Sequence, residues 1–197
     1  VHAISPVSRR HTDMRRLTVV RDDAPGVIVP DTTDPRAIAE TLRPHNIRFE
    51  RWSAPEPPPK DASTDVILEA YRPYLDTLMG ETGAGSADVV RINAQTPNLP
   101  ALRQKFLAEH VHSEDEVRFF VHGRGAFVMH IDGYVYSALC VQGDLISVPT
   151  GIPHWFNAGT EPDVVALRVF TDTTGWVAEY TGDAIAERFP ADVPTVS

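Results

Sequence analysis

Residues 124–157 read RGAFVMHIDGYVYSALCVQGDLISVPTGIPHWFN. Apolar runs such as Val128–Ile131 and Tyr134–Tyr136 alternate here with the turn pairs Asp132-Gly133, Gly143-Asp144 and Thr150-Gly151. A two-residue hairpin needs positive φ at both central positions, and Asp-Gly supplies residues that tolerate it, so Asp132-Gly133 predicts two paired antiparallel strands. The same rhythm runs outward, through Gly123-Arg-Gly125 on one side and Gly159-Thr160 and Thr174-Gly175 on the other. Short strands at even spacing predict an antiparallel β-sandwich or barrel over the C-terminal part of the chain.

The N-terminal part reads differently. Leu17–Val20 predicts a short strand, and Asp34-Pro35 predicts a helix start with Asp34 as N-cap, continuing through Ala37–Leu42 and stopping before Pro44. Ile47–Trp52 is extended, and Pro55–Pro59 (PEPPP) forms a stiff connector. Ser63–Met79 predicts the longest helix, with Val66, Ile67, Ala70, Tyr74 and Leu78 on one face, Gly80 at its end and a kink or break at Pro73. Val89–Asn93 predicts a strand and Asn98–Leu107 a short amphipathic helix. The whole is therefore a helical and mixed segment packed on a β-barrel, with no linker long enough to demand two independent domains and no internal repeat.

The 197 residues carry 18 Lys and Arg against 27 Asp and Glu, a formal net charge of −9. That balance disfavours nucleic acid and anionic membrane as partners, and no apolar run reaches the roughly 20 residues of a spanning helix. The stretch VHAISPVSRRHTDMRR lacks the apolar run of a secretory signal. Its arginines faintly suggest a transit peptide, but the expectation is a disordered basic extension, residues 1–15, ahead of a natural start near Met14. Cys140 is the single cysteine, so no internal disulfide forms and a reducing, cytoplasmic setting is expected. Its apolar surroundings mark a buried structural thiol.

Chemistry concentrates at 109–116, EHVHSEDE. Side chains two apart on a strand share a face, so His110 and His112 project together, and Glu116 has the same parity. A His-x-His pair alone is weak, because many are surface accidents. The added weight comes from GDLISVPTGIPHWFN at 143–157, where two turns deliver His154 to the start of the next strand. Three imidazoles and a carboxylate from two β-segments suit a divalent first-row metal, with two positions left open for substrate. Arg118 shares the parity of Glu116 and would place a fixed positive charge in the same cavity, although a core ion pair with Glu109 or Asp115 is an alternative. His122 at a strand end and His130 beside the hairpin read as ordinary barrel histidines. Glu114 and Asp115 read as turn residues, with a supporting role at the metal left open.

These two stretches resemble the paired motifs of the cupin superfamily. The first fits as His110, His112, Glu116 and Gly123, the second as Gly143, Pro149, Gly151 and His154. Two departures, Gln104 in place of a leading glycine and Asn157 one residue early, touch no ligand. Further stretches narrow the resemblance to the acireductone dioxygenase family: RFERW at 48–52, LRQKFLAEHVH, and RVFTDTTGWVAEYTGDAIA at 168–186. The similarity extends over about residues 16–189.

The resemblance implies a fold that is mainly β with α, a jelly-roll-like antiparallel cupin barrel with packed N-terminal helices. It implies one domain over 16–197, in which 16–107 is the helical and mixed part and 108–180 the metal-binding core. It implies one Fe2+ or Ni2+ per chain on His110, His112, Glu116 and His154. Arg118 would balance charge on the reacting substrate, and Phe106, Phe156 and Trp176 would line a pocket for an apolar tail. The implied reaction is cleavage by dioxygen of 1,2-dihydroxy-3-keto-5-methylthiopentene, an enediol, in methionine salvage. Iron would give formate and 4-methylthio-2-oxobutanoate; nickel would give formate, carbon monoxide and methylthiopropionate. A monomer is the expectation, with the small enediol and O2 as partners. The rivals are another cupin activity on the same ligands, of the oxalate or flavonol type, and a non-catalytic cupin that binds a metabolite or stores metal.

Overall fold

The computed structural model describes residues 15–54, 56–171 and 177–189. The N-terminal extension expected at 1–15 falls almost wholly outside the described residues, as do the Thr174-Gly175 turn and Trp176. Among the described residues, twelve strands form two antiparallel sheets. The larger contains β1 (Arg16–Arg21), β2 (Ala24–Thr32), β5 (His110–Val111), β7 (Arg124–Ile131), β8 (Tyr134–Val141), β10 (His154–Asn157) and β12 (Glu179–Tyr180), in the order β12-β5-β10-β7-β8-β1-β2. The smaller contains β3 (Arg48–Arg51), β4 (Ser86–Ile92), β6 (Glu116–His122), β9 (Asp144–Val148) and β11 (Val164–Phe170), in the order β3-β9-β6-β11-β4.

The hairpin forms where the sequence places it. Asp132 and Gly133 have φ of 51° and 79°, and Ile131 pairs with Tyr134 across the turn. Between the sheets lies a core of Leu17, Phe127, Met129 and Tyr136 from one side and Phe49, Phe120, Ile146 and Val164 from the other. Cys140 is fully buried within it, and burial pushes its thiol pKa well up, so it packs as a small apolar group. α1 (Pro35–Leu42) adds Ile38 and Leu42 to this core, and Asp34 caps it by accepting from the amides of Arg36 and Ala37, both at 2.9 Å.

The predicted helix over 63–79 is two helices. α2 (Thr64–Ala70) is capped by Ser63 and stops at Tyr71; α3 (Arg72–Thr82) begins with Pro73 in its first turn. Proline has no amide to donate and clashes with the preceding turn, but it fits a helix start, so the chain restarts rather than kinks. Two expectations are corrected here. Gly80 lies inside α3, and Gly83, with φ of 72°, ends it. Val66 is 52% exposed; the buried row is Ile67, Tyr71, Leu75 and Leu78, which packs on Val117, Phe119 and Leu167 of the smaller sheet. α4 (Leu99–Leu107) leads directly into the His110 strand.

The smaller sheet thus has two unlike faces. Val117, Phe119, Val165, Leu167 and Val169 face the helices, whereas Glu116, Arg118, Phe120, Ala166 and Arg168 face a cavity. Period-two alternation sets this division: one residue sinks into the helix-packed core and the next carries the chemistry.

Candidate metal centre and its pocket

The sheets bring the four expected ligands together. His154 and His110 sit directly opposite on β10 and β5, and His112 follows immediately after β5. Glu116 reaches across from β6 of the other sheet, so the cluster joins both layers. One donor atom from each of His110, His112, Glu116 and His154 lies within 4.8 Å of all the others. Bonds of about 2.1 Å to one ion place trans donors about 4.2 Å apart and cis donors about 3 Å apart. Glu116 Oε2 lies 2.7 Å from His154 Nε2 and 3.6 Å from His112 Nε2. The cluster therefore fits a single divalent cation after only small adjustments.

Each imidazole is oriented by its other nitrogen. Nδ1 of His110 lies 2.7 Å from the carbonyl of Ala108, Nδ1 of His154 lies 2.8 Å from that of Ile152, and Nδ1 of His112 lies 3.4 Å from that of Val177. A carbonyl oxygen only accepts, so in each case Nδ1 carries the proton and donates. Nε2 of His110 and of His112 is left to present its lone pair to the cluster, the arrangement of metal-ligating histidines, whereas Nε2 of His154 lies 2.7 Å from Glu116 Oε2 and is freed as a ligand once it gives up its proton.

Electrostatics favour the same use for His110 and His112. Burial pushes the pKa values of His110 and His112 down, leaving both neutral as ligands must be. Burial also opposes charge on His154, but its hydrogen bond to Glu116 and the charge of that carboxylate outweigh the penalty and raise it. For Glu116, burial alone would raise the pKa; Arg118, His154 and His112 reverse this and hold the carboxyl well below its ordinary range. Arg118 Nη2 contacts Glu116 Oε1 at 2.7 Å, and burial lowers the guanidinium to about 10, still charged at neutral pH.

Arg118 thus closes its ion pair with Glu116 and with neither alternative. Asp115 instead accepts from the amide of Thr150 at 2.9 Å, while Thr150 Oγ1 and the Gly151 amide both donate to the His112 carbonyl at 3.0 Å. These bonds tie the loop carrying the first motif to the loop carrying the second. Glu114 accepts from the Thr171 amide at 3.3 Å. Glu109 pairs with His130 at 3.3 Å and accepts from Thr181 Oγ1 at 2.5 Å. His130 also meets Asp22 at 3.1 Å, so carboxylates lie against both of its ring nitrogens. His122 donates from Nε2 to the Pro58 carbonyl at 2.6 Å, an ordinary barrel contact.

A cavity of about 410 Å³ opens beside the ligands. Its apolar wall includes Val90, Ile92, Leu102, Phe106, Phe120 and Phe156, and its charged groups include Lys105, Arg118 and Arg168. Phe106 and Phe156 meet edge to face at 6.2 Å. The approach of Phe156 depends on Gly125: a Cβ there would lie 2.3 Å from the Phe156 ring. Sequence reasoning missed Lys105, Arg168 and Tyr180. The parity that marks Arg118 marks Arg168 equally once β11 is known to pair with β6, a non-local fact.

Two antiparallel sheets around a three-histidine, one-glutamate cluster, with an adjoining half-apolar cavity, define a cupin-type metal-binding protein. Comparison with known proteins narrows the class. The model of the ARD/ARD' family matches residues 16–178, and the chain belongs to that family. It is 77% identical over 181 residues to the acireductone dioxygenase of Gluconobacter oxydans, covering 92% of this chain and 96% of that protein. It is 70% identical over 177 residues to that of Gluconacetobacter diazotrophicus, covering 90% and 99%. Among solved structures, an acireductone dioxygenase from Bacillus anthracis with a cadmium ion in its active centre superposes with a TM-score of 0.76. Its sequence is 29% identical, and the match covers 85% of this chain and 99% of that one.

Proposed function

We propose that this protein is a metal-dependent acireductone dioxygenase, cleaving 1,2-dihydroxy-3-keto-5-methylthiopentene with O2 in methionine salvage. The observation that carries the reading is the convergence of His110, His112, Glu116 and His154 at the head of the cavity, in a chain of the ARD/ARD' family. These four would hold one iron or nickel ion. When bound, that ion would supply Lewis acidity toward an ionised enediol.

The chain's own groups do the rest. The three backbone carbonyls keep the imidazole Nε2 atoms aimed inward, so binding requires no rotation of the rings. Arg118 holds Glu116 ionised and presents a buried guanidinium where negative charge accumulates on the reacting substrate. Phe106 and Phe156 exclude water and offer an apolar surface to the methylthio tail. Trp176 lies outside the described residues, and a role for it in binding the substrate rests on the family resemblance alone.

The test is oxygen uptake with acireductone by iron-loaded and metal-stripped protein. Uptake restored only by metal supports the proposal; equal uptake, or none with any metal, overturns it. Detecting carbon monoxide with nickel-loaded protein, and keto acid with iron-loaded protein, would assign the metal-dependent products.

A further inference from the structure

Across the cavity face of the smaller sheet runs a row of four charges. Arg118 on β6 lies directly opposite Arg168 on β11, and Arg168 directly opposite Asp88 on β4. Glu116 pairs with Arg118 at one end. Asp88 grips Arg168 at the other, taking Nε at 2.6 Å with one oxygen and Nη2 with the other. The order is carboxylate, guanidinium, guanidinium, carboxylate.

Like charges directly opposite on adjacent strands destabilise a sheet. This sheet accepts the clash on a partly buried face, with Ala166 and Val164 continuing the same side of β11 as apolar wall. An aliphatic residue at 168 would continue that wall with no repulsion. A local rule broken in this way marks a functional position. The bidentate grip of Asp88 also fixes the guanidinium plane, which removes much of the entropy lost when an arginine orders around a ligand.

We infer that Arg168, oriented by Asp88, is a second anion-binding residue of the pocket, contacting an oxygen of the enediol substrate. The inference rests on the functional reading above. The substrate has three neighbouring oxygens, two hydroxyl and one keto. Chelation through two leaves a third, which the apolar wall of the pocket would strand unless one of the cationic groups lining the cavity donates to it. Arg118 and Arg168 are each paired with a carboxylate, and Arg168 lines the same cavity from the next strand.

The experiment is anaerobic titration of nickel-loaded protein with acireductone, followed by substrate absorbance, for wild type, Arg168→Met, Arg168→Lys and Asp88→Asn. Nickel affinity is measured alongside. Losing a charge-assisted hydrogen bond should raise the substrate Kd about tenfold or more in Arg168→Met, with nickel affinity held within about twofold. Arg168→Lys should recover part of the loss, and Asp88→Asn should weaken binding about threefold. Wild-type Kd in Arg168→Met, or parallel loss of nickel, would overturn the inference and leave an ion pair of structural use only. Should Arg168→Met not fold, an unchanged Kd in Asp88→Asn overturns it. Wild-type protein that neither binds nor oxidises acireductone would defeat the functional reading, and this inference with it.

Discussion

Replacing Arg118 by Met should move stability and metal affinity in opposite directions. The guanidinium lies 2.7 Å from Glu116 Oε1, and both side chains are buried. Without metal, Arg118→Met leaves a buried carboxylate without its main counter-charge. Breaking such a pair typically costs 3–5 kcal/mol, and His154, whose pKa Glu116 already raises, offsets part of this. A net loss of about 2–3 kcal/mol corresponds to a fall in Tm of about 5–10 °C for a chain of this size. With metal, the sign reverses. An ion held by Glu116 Oε2 would lie about 5 Å from the guanidinium, and Coulomb's law for a divalent cation and a single positive charge at an effective dielectric of about 20 gives about 7 kcal/mol of repulsion. Halving that for relaxation and solvent, the variant should bind nickel on the order of a hundredfold more tightly. Turnover should nevertheless fall about a hundredfold, because the charge that stabilises the reacting substrate is gone. Calorimetry on metal-free protein, nickel titration and oxygen uptake read the three quantities. If nickel binding weakens together with Tm, Arg118 acts as a scaffold for Glu116 and the electrostatic argument fails.

Three further outcomes follow from particular contacts. His154 is held above its ordinary pKa by Glu116 and must release its proton to bind an ion, so metal affinity should fall as pH drops through that raised value and level off above it; a flat profile between pH 5.5 and 8 in a dialysis assay would contradict this. Gly125→Ala should push the Phe156 ring aside and raise KM for acireductone several-fold, at a stability cost of about 1–3 kcal/mol, with nickel affinity unchanged; kinetics at unchanged metal loading would show whether KM moves. Asp34→Ala removes two cap hydrogen bonds far from the site and should lower Tm by about 2–4 °C while leaving KM at its wild-type value.

Where local chemistry governs, the sequence is readable. The Asp132-Gly133 hairpin and the Asp34 cap each depend on a few consecutive residues, and both appear where expected. Where neighbours distant in sequence govern, it is not. β2 reads APGVIVPDT, and its two prolines and glycine argue against a strand; it forms because it is the edge of the larger sheet, where a missing amide is tolerated. β12 is two residues long and exists through pairing with Val111 and His110. Val66 and Ile67 both fit an apolar stripe, and only the position of the smaller sheet decides which one is buried. The same limit hid Arg168, whose place on the cavity face follows from the pairing of β11 with β6.

The most direct measurement is a calorimetric titration of metal-free protein with nickel, comparing wild type with His154→Ala. Wild type should take up one ion per chain. Even loss of an outer supporting partner costs metal sites 10–100-fold, so removal of this donor should weaken binding by at least about a hundredfold. Equal affinity in the two proteins would show that the four side chains do not share an ion.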